Sequence, residues 1–470
     1  MRAARLRSAG SRRLLLRRDF RAAKRLEKTP VAARLVFGLL MMVLVGTLLL
    51  RLPGMTTRPI TWMEAAFTAT SAVTVTGLSI LTTSTDFTFR GQIVLLLLIQ
   101  AGGVGFMALV ALAMIILRRR ITYQDRIALV NAMGLDQQRA LMRFFGLSLA
   151  VMVIVEGLGA LLLYARWTWG GIVTTGPVWF YALFHAVSAF CNAGFDLFAG
   201  LAAYPSGLPT DAFTLLLLGL LILLGGLGLP IYMELIYERR RRRGRLSLNA
   251  RVTLVSALIL FVVGWAALFA VEMGREGALT EAGFFHSLTQ SAFQSISART
   301  AGFPGFAGFT DMRQASRLLI LTLMFIGTAP ASMGGGITTG TFAVLVLAIS
   351  SYSLGYRNVR VGKRTLPQAV ILRAAVVLVL SLNVALVATW LLLATHPFTL
   401  DTALFEVMSA LSTCGLSLGI TGQLNVFGRL LIMAVMFWGR LGAVTVMIAL
   451  VQRHQRTSAI DFPEESVLVG

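Results

Sequence analysis

Apolar residues fall in blocks of membrane length along this chain, at about 35–51, 92–117, 144–165, 213–237, 250–272, 316–351, 369–394 and 426–451. Blocks of about 20 residues predict helices that cross a bilayer, whereas a membrane barrel would show alternating segments about ten residues long. Basic clusters close every second block, at Arg118 to Arg120, Arg239 to Arg245, Arg357 to Arg364 and Arg453 to Arg456. Cytoplasmic loops carry an excess of Lys and Arg, so these clusters predict eight spans in four pairs, with both termini inside. The segments between the members of each pair then lie on the outer side. They are too long and too apolar for simple loops, and they predict re-entrant segments that dip back into the membrane.

A common pattern runs through those segments. F-x-x-x-S-A occurs at Phe67 to Ala72, Phe184 to Ala189, Phe293 to Ala298 and Phe405 to Ala410. A glycine followed by an apolar residue comes next: Gly77-Leu78, Gly194-Phe195, Gly302-Phe303 and Gly415-Leu416. These glycines stand 117, 108 and 113 residues apart, which is one repeat each, and the third copy is one residue shorter between Ala and Gly. A weaker glycine cluster recurs in each second span, at Gly102-Gly103-Val-Gly105, Gly225-Gly226-Leu-Gly228, Gly334-Gly335-Gly336 and Gly439-Arg-Leu-Gly442. The expected fold is an all-α integral membrane protein with four repeats of span, re-entrant pore loop and span around a pseudo-fourfold pore. The division places a basic cytoplasmic arm at 1–34, pore repeats at 35–120, 121–245, 246–364 and 365–457, and a cytoplasmic tail at 458–470.

Irregular backbone at membrane depth survives only where it is buried or lines a water-filled cavity. Four such returns around one axis offer backbone carbonyls in place of a cation's hydration shell. Glycine permits the close approach and the unusual dihedrals this needs. The four re-entrant helices also aim the negative ends of their dipoles at the cavity. The candidate potassium-binding filter is Thr74-Val75-Thr76-Gly77, Cys191-Asn192-Ala193-Gly194, Arg299-Thr300-Ala301-Gly302 and Ser412-Thr413-Cys414-Gly415. Close helix packing explains a lone membrane glycine, but fourfold recurrence in matched context outweighs it. Packing remains the reading for Gly102, Gly103, Gly225, Gly226 and Gly442.

Composition agrees with the pattern and narrows the alternatives. Hydrophobic residues make up 57% of the 470 and charged residues 13%, with a mean hydropathy of +0.79, far from a soluble domain. The net charge of +22 sits beside the ends of apolar runs, so it reads as topology rather than nucleic-acid binding. The Arg-rich N-terminus lacks the apolar core of a secretory signal and reads as a cytoplasmic arm on anionic lipid rather than a transit peptide. Two cysteines and four scattered histidines give no disulfide framework or zinc pattern. Glu156, Glu272, His185 and His286 share no motif, which argues against a membrane-embedded enzyme. Carriers of organic solutes use broken helices in inverted or paired halves, so four parallel repeats favour an ion.

The motifs T-V-T-G-L, N-A-G-F, R-T-A-G-F and T-C-G-L, with G-Q-x-V-L-L-L-L-I-Q-A-G-G-V-G-F-M after the first, resemble the Trk/Ktr/HKT superfamily of potassium transporters. The Ktr-type membrane subunit is the nearest match; a Trk-type subunit carries two further N-terminal spans for which this chain has no room. The resemblance covers Val31 to Gly470. It implies potassium uptake across a bacterial plasma membrane by a homodimer with one pore per protomer. It also implies a cytoplasmic nucleotide-binding regulatory ring and leaves sodium coupling open. Any nucleotide would bind that partner, because no G-x-G-x-x-G unit follows a strand here.

Two arginines stand out. Arg299 beside a cation filter predicts a guanidinium turned behind the loop, either paired with Glu406 or bonded to backbone carbonyls. Arg440 lies inside the last apolar run, where insertion costs about 3 kcal/mol. The resemblance places it below the filter, opposite the interruption Ala329-Pro-Ala-Ser-Met-Gly334-Gly335-Gly336-Ile337, which would act as an intramembrane gate. A purely structural clamp is the alternative role for Arg440.

Overall fold

The computed structural model describes residues 31–104, 141–238 and 246–442, apart from 174, 175, 202, 205, 206, 229, 230, 233, 274–278, 280–282, 307, 331, 357 and 363. The basic clusters at 118–120, 239–245 and 453–456, most of the N-terminal arm and the tail at 458–470 lie outside the described residues.

Long apolar helices and short buried ones alternate. Helix α1 is Val31–Leu50, α2 Trp62–Thr74, α3 Thr83–Asp86 and α4 Phe89–Val104. Next come α5 Leu141–Gly170, α6 Val178–Phe190 and α7 Ala212–Gly226, then α8 Leu248–Glu272, α9 Phe284–Ser297, α10 Gln314–Phe325 and α11 Thr339–Ser353. A two-stranded antiparallel hairpin, β1 Arg360–Val361 and β2 Arg364–Thr365, precedes α12 Gln368–Thr395, α13 Leu400–Ser412 and α14 Val426–Leu441. Among the described residues, three helices are long and apolar enough to cross a membrane: Leu149–Trp169, Leu248–Glu272 and Gln368–Thr395. Leu35–Leu50, Phe89–Val104, Val178–Phe190, Ala212–Gly226, Gln314–Phe325 and Thr339–Ser353 are shorter apolar helices.

Two of the expected spans are not continuous helices. The 213–237 block leaves the helix after Gly226 and turns at Gly228, whose φ is +81°. The 316–351 block breaks between Phe325 and Thr339. Consecutive glycines and a proline cannot hold the helical ladder, so other partners must take up the freed amides. Gly327 N donates to Ile337 O at 2.8 Å, and Ala329 N to Gly226 O at 3.1 Å.

The short helices α2, α6, α9 and α13 form the centre. Ala65, Phe67 and Thr68 to Thr74 of α2 are all buried, as is α13 from Phe405 to Ser412. Side-chain caps begin several helices: Thr61 and Glu64 form a capping box on α2, Asp211 caps α7, Ser247 α8, Thr338 α11 and Asn425 α14. Each later central helix packs against an apolar helix that lies between it and the central helix before: α6 on α4, α9 on α7 and α13 on α10. The sequence closes on itself, because α2 packs on α14. The outward faces of α5, α8 and α12 carry exposed Leu161, Leu258, Leu386 and Trp390, as lipid contact requires.

Candidate functional site

The four central helices end in one unusual way. Among the described residues, the non-glycine positions with positive φ are Val75 (55°), Asn192 (55°), Thr300 (77°) and Thr413 (52°). A left-handed backbone is strained for β-branched Val and Thr, at about 1–3 kcal/mol for each such position. Two residues on, φ is positive again at Gly77 (89°), Gly194 (68°), Gly302 (79°) and Gly415 (96°). A backbone that reverses at every second residue continues neither helix nor strand. Its carbonyls at Thr76, Ala193, Ala301 and Cys414 accept no hydrogen bond among the described residues.

These segments meet one another in sequence. A Cβ on Gly77 would lie 2.5 Å from the Ala193 carbonyl oxygen, and one on Gly194 would lie 2.8 Å from that of Ala301. A Cβ on Gly302 would overlap the Cys414 carbonyl oxygen, and one on Gly415 the Thr76 carbonyl oxygen. The cycle returns to its start. Four glycines and four carbonyls therefore share one narrow ring, where any side chain would strike backbone that cannot rotate away. Oxygen-only donors of this kind suit a hard monovalent cation.

The remaining candidate side chains turn back into the protein. Thr74 Oγ1 donates to Thr70 O and lies 2.7 Å from Thr76 Oγ1. Asn192 and Thr300 join adjacent segments through their side chains at 3.1 Å. Ser412 Oγ donates to Met408 O. Cys191 and Cys414 are free and buried, with Cys191 Sγ near Glu156 and Gln100. Arg299 is buried and donates to Ala257 O at 3.3 Å, Gly327 O at 3.2 Å and Thr339 Oγ1 at 2.9 Å. Of the two partners considered for it, the carbonyls hold it. Glu406 instead accepts from Ser417 and Thr421.

The interrupted span lies directly against this ring. A Cβ on Gly334 would overlap Thr300 Oγ1, one on Gly335 would lie 2.6 Å from Thr413 Oγ1, and one on Gly336 3.1 Å from Ser412 Cα. Arg440 is partly buried; it donates to Met333 O of the interruption, to Gly102 O, and to Gly103 O at 3.2 Å. It thus ties the interruption to the end of α4. Gly327 and Thr339, which Arg299 joins at the base of the interruption, carried no sequence signal.

The glycines read as packing fall into two groups. A Cβ on Gly102 would overlap Val73 O, and one on Gly225 would overlap Phe190 O; Gly103 faces Cys191 and Gly226 faces Thr328. Gly442, read as packing, has no neighbour among the described residues where its Cβ would lie, and its φ of +78° closes α14. The packing glycine there is Gly439, whose Cβ would overlap Leu411 O. Matching Gly439 to Gly102 and Gly225 within the recurring cluster was the signal that could have found it.

The cation transport protein family TrkH matches residues 21–459. The chain is 32% identical to the Ktr system potassium uptake protein B of Bacillus subtilis over 93% of this chain and 96% of that protein. It is 31% identical to the potassium/sodium uptake protein NtpJ of Enterococcus hirae over 96% of this chain and 99% of that one. The crystal structure of the potassium transporter TrkH from Vibrio parahaemolyticus shares the fold with a TM-score of 0.67 at 20% identity, over 88% of this chain and 84% of that one. A family match across this much of the chain, joined by relatives above 30% identity along nearly their full length, makes it a member of the TrkH family of cation transport proteins.

Proposed function

We propose that this chain is the ion-translocating subunit of a Ktr-type potassium uptake system in a bacterial plasma membrane. The observation that carries the reading is the closed ring in which each repeat's glycine abuts the next repeat's carbonyl, at Thr76, Ala193, Ala301 and Cys414. Potassium loses its water to these oxygens as it enters, and the strained residues beneath them hold the oxygens in place. Eight spans in four repeats around that ring remain the architecture of the proposal. Inward movement gains about 2.3 kcal/mol per 100 mV of inside-negative potential, so this chain needs no hydrolysis of its own.

Gly334 to Gly336 form the gate in this reading, because they lie against Thr300, Thr413 and Ser412 at the ends of the central helices. Arg440 holds that gate closed through Met333 O and Gly102 O, and adds a positive charge to the passage. The names of the Ktr relatives denote a system, which supports a second component; in this reading it is a cytoplasmic nucleotide-binding ring beneath a homodimer, as the resemblance implies. One relative is named for potassium and sodium, so sodium is the second ion to measure.

Rubidium or potassium uptake into vesicles holding the purified chain tests the proposal, with sodium as competitor and an amino acid as control. Saturable uptake driven by an inside-negative potential is expected. Uptake of the amino acid without cation flux would overturn the reading.

A further inference from the structure

The residue after the motif phenylalanine differs in every repeat: Thr68, His185, Gln294 and Glu406. In three repeats it performs one task with different chemistry. His185 Nε2 lies 2.9 Å from Asp196 Oδ1, Gln294 Oε1 accepts from Gly305 N at 2.7 Å, and Glu406 Oε2 accepts from Ser417 Oγ at 2.7 Å. Each bond spans eleven residues, from the central helix to the segment leaving the ring. All three side chains are buried: His185, Gln294 and Glu406 have no solvent exposure.

The motif serine adds a second tie in the same three repeats. Ser188 Oγ donates to Phe195 O at 2.8 Å, Ser297 Oγ donates to Phe303 O at 2.6 Å, and Ser409 Oγ accepts from Gly415 N at 2.9 Å. Repeat 1 has neither tie. Thr68 Oγ1 donates to Glu64 O within its own helix, and Ser71 Oγ is buried without a partner among the described residues. The eleven-residue step from Thr68 reaches Ser79, whose hydroxyl bonds with Leu81 instead. Only the backbone bond from Thr76 N to Ser71 O, with counterparts at Ala193, Ala301 and Cys414, joins helix to return in every repeat.

Resting on the filter reading above, we infer that His185, Gln294 and Glu406 are positioning residues that set ion discrimination by bracing three walls of the ring, and that the Gly77 wall is the compliant one. A carbonyl ring discriminates between potassium and sodium only if its oxygens resist closing around the smaller ion. A wall lacking two hydrogen bonds resists least. The asymmetry makes repeat 1 the wall that yields when the ion in the ring changes.

Two measurements on the full chain in lipid nanodiscs test this. Hydrogen exchange on the unaltered protein should show the amides of Gly77 to Ser79 exchanging about tenfold faster than those at Gly194 to Asp196, at Gly302, Phe303 and Gly305, and at Gly415 to Ser417. Equal protection of all four overturns the inference, whatever the chain transports. In uptake assays, Gln294→Met and Glu406→Leu should each lower the potassium-over-sodium ratio about tenfold. Gln294→Glu and Glu406→Gln, which keep an acceptor oxygen, should retain it. Unchanged ratios in folded Met and Leu variants would make the ties merely structural and end the proposal. Absence of cation flux in the unaltered protein would fail the filter reading alone, with the exchange pattern still deciding the brace.

Discussion

Two glycine-rich regions meet at the centre of this molecule, and they use glycine differently. In the ring, the space that Cβ would take at Gly77, Gly194, Gly302 and Gly415 is occupied by a neighbour's carbonyl, and all four residues have positive φ. In the interruption, the nearest atoms to a Cβ on Gly334 or Gly335 are side-chain hydroxyls of Thr300, Thr328 and Thr413, with Gly439 O farther off at 3.1 Å from Gly335, and only Gly336 has positive φ. Backbone cannot yield without moving a whole segment, whereas a threonine can turn about χ1. In the proposed reading the ring is therefore the fixed element and the interruption the one that moves. That contrast is what a selective passage with a separate gate requires, since selectivity needs fixed oxygens and gating needs a segment that moves.

The largest effect is expected from Gly302→Ala. The new methyl meets the Cys414 carbonyl and must also hold φ near +79°. Left-handed backbone alone costs roughly 1–2 kcal/mol, and the overlap adds to it. Potassium affinity should fall about tenfold or more, each 1.4 kcal/mol being a factor of ten. Concentration-dependent rubidium uptake, normalised to folded protein, measures it. Unchanged affinity would remove the ring from the ion path.

Arg440→Gln comes next and acts in the opposite direction. It removes the charge and weakens the tie between Met333 O and Gly102 O. Flux should rise several-fold, about 1 kcal/mol off the barrier giving roughly fivefold, with discrimination changing less because the ring is untouched. Lower flux together with a lower melting temperature would make Arg440 the structural clamp instead.

Much of this contrast was legible in the chain as written. F-x-x-x-S-A and the following glycine mark each return, because the backbone requirement falls on the same residue in every repeat. Pairings across roughly a hundred residues were not legible. Whether Arg299 reaches Glu406 or the carbonyls of Ala257 and Gly327 depends on which segments lie behind the loop, and nothing local encodes that. Gly439 differs in this respect: its place in the recurring cluster matches Gly102 and Gly225, and like them it faces a carbonyl, that of Leu411. The position after the motif phenylalanine escaped notice because its residue type varies while its bond does not.

Arg299→Lys sharpens the comparison at the joint between the two regions. Three acceptors on α8 and on both ends of the interruption match a planar, branched guanidinium, and a single ammonium cannot reach them with the same geometry. A loss of about 1.5–3 kcal/mol in stability is expected from one unmet buried partner of a charged group. Thermal unfolding in detergent would read it as a lower midpoint. The flux of the folded fraction should rise less than in Arg440→Gln. An unchanged midpoint would mean that Arg299 does not join ring and interruption.

Gly335→Ala should have the smallest effect, and it tests the contrast most directly. Its Cβ would lie 2.6 Å from Thr413 Oγ1 and 2.8 Å from Thr413 Cγ2. Unlike the ring glycines, Gly335 does not have positive φ, so alanine adds no left-handed strain. Among the described residues Thr413 Oγ1 is buried without a hydrogen-bond partner, so turning that side chain aside sacrifices no bond there. The main cost is a shifted rotamer of order 1 kcal/mol, with Gly439 O, 3.1 Å from the new Cβ, giving way by a few tenths of an ångström. The variant should express normally and change uptake by less than about fivefold, with potassium affinity intact. Comparing it with Gly302→Ala under identical conditions isolates the identity of the obstructing atom. If both alanines abolish uptake to the same degree, the interruption is as rigid as the ring, and a gate must be sought elsewhere.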